Sequence, residues 1–180
     1  MKDKNKVALQ ALKFIGTIAL VAAVAYVFLQ YSPAQGLLAW LTAESSRLAL
    51  SALGINSTIV WQANPHLVSQ NFDAELIPLC QGTLELALWV AVVVASDNKS
   101  LPLRIKGLFA GLALFLLFNP FRIAVTLRLF DPVQPFTSLV AHDVLFRTSL
   151  LALFVTAYAV FQVWPEEKST APAKKRSNHS

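Results

Sequence analysis

The sequence predicts an all-α integral membrane fold: a bundle of about four transmembrane helices, an amphipathic interfacial helix and a short extracytoplasmic hairpin-like loop. Four observations predict it. Of the 180 residues, 56% are hydrophobic and only 14% charged, where soluble domains carry about 25% charged residues. The mean hydropathy is +0.55, and a soluble domain of this size has too little interior for so many apolar side chains. Apolar runs of roughly 20 residues, enough to cross a hydrocarbon core of about 30 Å, recur along the chain. Lys and Arg collect in short pieces beside those runs, the pattern expected of cytoplasmic loops.

The first span is "FIGTIALVAAVAYVFLQY", 14–31. Its apolar run is longer than that of a usual signal peptide, so it is read as retained. The stretch 36–55, "GLLAWLTAESSRLALSALGI", has Glu44, Ser45, Ser46 and Arg47 at its middle. A charge facing lipid at midplane costs about 3 kcal/mol or more, so this piece reads as an amphipathic helix at the interface or tucked against the bundle. Residues 56–76 alternate polar and β-branched side chains around an Asn-Pro turn signal, which predicts a short hairpin. The second span is 77–96, the third 107–130 and the fourth 138–164.

Charge sets the expected topology. Lys2, Lys4, Lys6 and Lys13 precede the first span, Lys99, Arg104 and Lys106 lie between the second and third, and Lys168, Lys174, Lys175 and Arg176 follow the fourth. The connections 56–76 and 131–137 hold no Lys or Arg. Four spans with both termini cytoplasmic satisfy every basic cluster. One transmembrane domain, 1–164, and a basic, disordered cytoplasmic tail, 165–180, complete the organisation. The net charge of +5 is dispersed over flanking pieces, so no nucleic-acid partner is expected. The single cysteine excludes an intrachain disulfide and a CxxC redox pair.

That cysteine, Cys80, falls in the outer turn of the second span. Arg122 lies fifteen residues after Gly107, about 22 Å up the third span and so in its outer third. Asn119 shares its face, and Pro120 between them predicts a kink. His142, with Asp143 beside it, enters the fourth span from outside. Three helices thus bring Cys80, Asn119, Arg122 and His142 to one outer layer. A thiolate is a strong nucleophile, and a nearby cation or imidazole lowers its pKa from about 8.5. His142 can take the thiol proton and return it to a leaving amine. Arg122 can hold a developing oxyanion or pair with a carboxylate. Gly82 lets backbone approach closely. Such a set suggests acyl transfer on a peptide arriving from the membrane. Glu85 and Arg147 lie five residues inside Cys80 and His142 respectively, at matching depth, and read as a structural ion pair. Arg128 reads as snorkelling to the interface. His66 and Asp73 read as solvated loop residues. No cofactor and no metal is expected, because one Cys and one well-placed His fall short of the three or four ligands zinc takes. No G-x-S-x motif lies in a span, which argues against an intramembrane serine protease.

"LCQGT" at 79–83, "FNPFRIAV" at 118–125 and "AHDVLF" at 141–146 together resemble the exosortase/archaeosortase family. That family shows a cysteine followed closely by glycine, then N-x-x-R, then histidine on successive membrane helices. The resemblance implies a membrane cysteine transpeptidase at the cell membrane, with an extracytoplasmic active site. Its partners would be secreted proteins ending in a signature motif, a hydrophobic helix and a basic tail, and a lipid or other envelope acceptor. It implies Cys80 as nucleophile, Arg122 as transition-state stabiliser and His142 as proton-transfer residue. The chain is short for the family, and Gln81-Gly82-Thr83 replaces the expected serine- or alanine-glycine. The alternative reading is a non-enzymatic membrane module, an accessory subunit or receptor, using the same polar layer as a binding pocket.

Overall fold

A computed structural model describes residues 2–129 and 146–165. The elements in chain order are α1 (Lys2–Tyr31), α2 (Ala34–Ala52), β1 (Thr58–Trp61), β2 (Pro65–Val68), β3 (Asp73–Glu75), α3 (Thr83–Ala95), α4 (Leu101–Arg128) and α5 (Phe146–Val163). The class is mainly helical. Two helical stretches, Lys6–Tyr31 and Leu101–Arg128, are long and apolar enough to cross a membrane, and Thr83–Ala95 and Thr148–Val163 are shorter apolar helices. Leu9, Leu12, Ile15, Leu20, Val24 and Phe28 on α1 are all exposed. An apolar surface that water would penalise in this way suits a lipid environment.

α4 is the spine, a single helix that continues through Pro120. It starts six residues before the predicted span, at Leu101, with Pro102 in its first turn where a missing N–H costs nothing. Two hydrophobic clusters are strung along it. Near the Leu101 end, Leu103 and Phe115 join Leu38, Leu86, Trp89, Val93, Ala157 and Phe161. Near the Arg128 end, Ile123 and Ala124 join Ala43 and Leu50 of α2 and Leu67 and Leu76 of the sheet region. Because Leu38 belongs to the first cluster and Ala43 and Leu50 to the second, α2 ascends α4 toward Arg128. α1 packs on α3, and α5 on α4 and α3.

The stretch 36–55 therefore forms a helix tucked against α4. Its polar middle is dealt with locally. Arg47 Nε donates to Glu44 Oε2 one turn away at 2.9 Å. Ser45 bonds back to the Leu41 carbonyl.

The predicted hairpin is a three-stranded antiparallel sheet in the order β1-β2-β3. Thr58 pairs with Val68 and Trp61 with Pro65, while His66 pairs with Glu75 and Val68 with Asp73. Leu67 is fully buried against α2 and α4. The hairpin-like loop needs this correction: the sequence hid β3 because it is only three residues, Asp-Ala-Glu, of poor strand propensity. Its pairing with β2 and the burial of adjacent Leu76 hold it extended.

The cluster around Trp89 depends on Gly107 and Gly111. The indole Nε1–H donates to the Gly107 carbonyl at 3.1 Å, and Phe115, Phe154 and Phe161 meet the indole edge-on with centroids 6.1–6.2 Å away. A Cβ on Gly111 would lie 1.9 Å from Trp89 Nε1, so the ring could not stay. Gly111→Ala is expected to destabilise the detergent-solubilised protein by about 1–3 kcal/mol. A thermal melt within a degree of wild type would show that Trp89 is free to move.

Candidate functional site

The site lies on α4 between the two clusters, where Asn119 and Arg122 face the segment 76–82. That segment is not helical, which corrects the placement of Cys80 within a helical turn of the second span. Pro78 has no N–H to give a helix. Instead the Ile77 carbonyl accepts the N–H of Cys80 at 2.8 Å and of Gln81 at 3.2 Å, and the Pro78 carbonyl accepts from Gln81 and Thr83. Gly82 closes the turn with φ of 80°, in the left-handed region, and caps α3. A Cβ there would meet Asn119 Nδ2 at 3.6 Å and Glu85 Oε2 at 3.9 Å, ordinary contacts. It is the backbone conformation, rather than space, that calls for glycine at this position. α3 can begin only after it, so Cys80 stands on a tight turn, half-buried, with a free thiol.

The turn is gripped from two sides. From α4, Asn119 Nδ2 donates to the Cys80 carbonyl at 3.0 Å and Arg122 Nη2 donates to the same oxygen at 3.3 Å. Arg122 Nη2 also donates to Asn119 Oδ1 in a short bond. Asn119 is 3% exposed and Arg122 5%, so these bonds form away from water, where charge-assisted bonds are strong. From the other side, Gln81 Nε2 donates to the Leu76 carbonyl at 2.6 Å, and Gln81 Oε1 accepts from Gln35 Nε2 of α2 at 2.7 Å. Gln81 is 2% exposed. Glu85 stands in the first turn of α3, and its Oε2 is buried with no hydrogen-bond partner among the described residues.

The predicted residues Cys80, Gly82, Glu85, Asn119 and Arg122 thus come together. Arg122 does so differently from expectation: it clamps the Cys80 peptide. His142 lies outside the described residues. Arg147 is in the first turn of α5, but its side chain, and hence its pairing with Glu85, lies outside them too. Gln35 and Gln81 hold the turn and were not singled out from the sequence. The available signal was an amide in apolar surroundings, which when buried needs a partner. On the sheet, His66 Nδ1 and Asp73 Oδ1 are 2.9 Å apart. Among the described residues no group of three or more His, Cys, Asp or Glu is placed to hold a metal ion.

Fold and site together define a helical protein of membrane character with one thiol presented on a clamped turn. Comparison with protein-family models, curated proteins and solved structures finds no match to this chain.

Proposed function

We propose that the protein is a membrane-embedded cysteine transpeptidase of the exosortase/archaeosortase type. It cleaves the C-terminal sorting tail of secreted proteins on the extracytoplasmic side and passes the new carboxyl end to an envelope acceptor. The observation that supports this most is the grip of Asn119 and Arg122 on the Cys80 carbonyl. The two elements "LCQGT" and "FNPFR", about forty residues apart in sequence, form one site as the resemblance requires. In this reading the chain crosses the cell membrane four times with both termini inside, α2 leans on α4 without crossing, and the sheet lies outside.

The chemistry follows from the positions. The Cys80 thiolate attacks the scissile carbonyl carbon of the substrate. Arg122, held beside the Cys80 peptide, supplies a fixed positive charge for the oxyanion that forms. The C–N bond breaks, and the leaving amine takes the proton that His142 removed from the thiol. The product is a thioester on Cys80 and a released tail. An acceptor nucleophile then attacks the thioester, and the thiolate leaves. Glu85 and Arg147 form a supporting pair in this scheme, and Gly82 allows the turn that presents Cys80.

The thioester gives the test. The protein is produced with secreted proteins from the same cell that end in an apolar helix and a basic tail, isolated under acid quench, and weighed intact. The expected result is an added mass on Cys80 that hydroxylamine removes. Unmodified Cys80, with tails uncut in the same cells, would overturn the reading and leave the polar layer as a binding pocket.

A further inference from the structure

Among the described residues, the strand that leads into the Cys80 turn has an edge with no partner strand. Leu76 N donates to the Pro65 carbonyl and Ser69 N to the Phe72 carbonyl, each at 2.9 Å. In an antiparallel pair, bonded residues alternate with non-bonded ones. Phe72, Ala74 and Leu76 therefore turn their peptide groups to β2. Asp73 and Glu75 must turn theirs the other way. Among the described residues β3 packs on β2 alone. The opposite edge of the sheet, on β1, leans on α2 and is separated from β3 by the whole of β2.

The edge is also stiffened and charged. Asn64 Nδ2 donates to Glu75 Oε1 at 2.7 Å, and His66 Nδ1 lies 2.9 Å from Asp73 Oδ1. These contacts fix both carboxylates on one sheet face, while Leu67 and Leu76 anchor the other face in the core. A rigid, unpaired strand edge is a template for an extended peptide. It ends five residues before Cys80, about 17 Å of extended chain at most.

We propose that the edge of β3 receives the extended segment of the peptide substrate as a fourth strand and delivers its scissile bond to Cys80. This rests on the transpeptidase reading. The occupant is the segment just before the cut, within about five residues of it. It descends toward the membrane as β3 does, so that the apolar tail continues into lipid. Main-chain bonds to Asp73 and Glu75 hold it. A basic or polar side chain suits positions beside the two carboxylates, and proline is excluded wherever a substrate N–H must reach β3.

Proline isolates the claim. Glu75→Pro removes an edge N–H and leaves the β2–β3 bonds intact, while Glu75→Ala removes only the carboxylate. The substrate is a tailed secreted protein of the same cell, and cutting is read by C-terminal mass. Glu75→Pro is expected to slow cutting about tenfold relative to Glu75→Ala, with both variants melting near wild type. In the substrate, single prolines placed one to five residues before the cut are expected to block it at alternate positions. This second arm stands even if Glu75→Pro misfolds. Equal cutting by Glu75→Pro and Glu75→Ala, or a proline scan without two-residue alternation, overturns the docking while wild-type cutting upholds the enzyme. A wild type that cuts no tailed substrate overturns both.

Discussion

Cys80→Ala is expected to leave tailed substrates at full length, a loss on the order of 10⁴-fold or more, as when a nucleophile is removed from other acyl-transfer enzymes. The structure makes this a clean experiment, because the groups that hold residue 80 act on its backbone. Ile77 receives its N–H, and Asn119 and Arg122 bond its carbonyl. None of them needs the sulfur. The alanine variant should therefore insert and melt like wild type, within about 1 kcal/mol. C-termini of surface proteins, mapped by mass spectrometry in cells with either form, read the result. Trimming at an unchanged position in the variant would remove Cys80 from the chemistry.

Arg122 carries the second large effect, and here activity and stability fall together. One Nη2 bridges the Cys80 carbonyl and Asn119 Oδ1 in a nearly dry site. Arg122→Ala leaves a buried carbonyl and a buried amide short of a donor, at about 2–3 kcal/mol, and removes the oxyanion charge, at about 10²–10³-fold in rate. Arg122→Lys separates the two roles. The ammonium keeps the charge but lacks the planar fork, so activity should fall at least about tenfold while insertion is kept. Full activity in the lysine variant would show that charge alone suffices and that the clamp on the turn is incidental. A melt of Arg122→Ala unchanged from wild type would contradict its structural share.

Much of this site was legible because helix geometry is metric. Counting from Gly107 at 1.5 Å per residue put Asn119 and Arg122 at the level of Cys80, and both side chains bond the Cys80 carbonyl. The turn was less legible. Three of the five residues Ile77, Pro78, Leu79, Cys80 and Gln81 are hydrophobic, and hydropathy cannot tell an apolar turn from an apolar helix. Pro78 and Gly82 were the local clues, and the Gly82 φ of 80° decides the matter. Arg122 was read as a cation for an oxyanion or a carboxylate, because sequence shows charge and not the carbonyl it will meet. Gln35 and Gln81 are forty-six residues apart, and nothing local announces their bond. The stretch 36–55 was readable as an amphipathic helix from its polar middle, but its partner was not. That follows from Ala43 and Leu50 packing with Ile123 and Ala124, a tertiary fact.

Under the proposed function, the length of α4 has a consequence for where a tail is cut. At 28 residues it is a rod of about 42 Å, some 12 Å longer than a hydrocarbon core. The same rod holds the Trp89 cluster near one end and Asn119 and Arg122 toward the other. In the four-span reading, the height of the thiol above the lipid is then set by an element that does not stretch. A substrate tail is also a helix anchored in the same bilayer, so enzyme and tail share one reference plane. A transpeptidase of the proposed kind would then act as a ruler. Two tails with identical motifs but helices differing by one turn would offer bonds about 5.4 Å apart in height, and only one would meet the sulfur. A thicker membrane would shift the choice for every substrate at once.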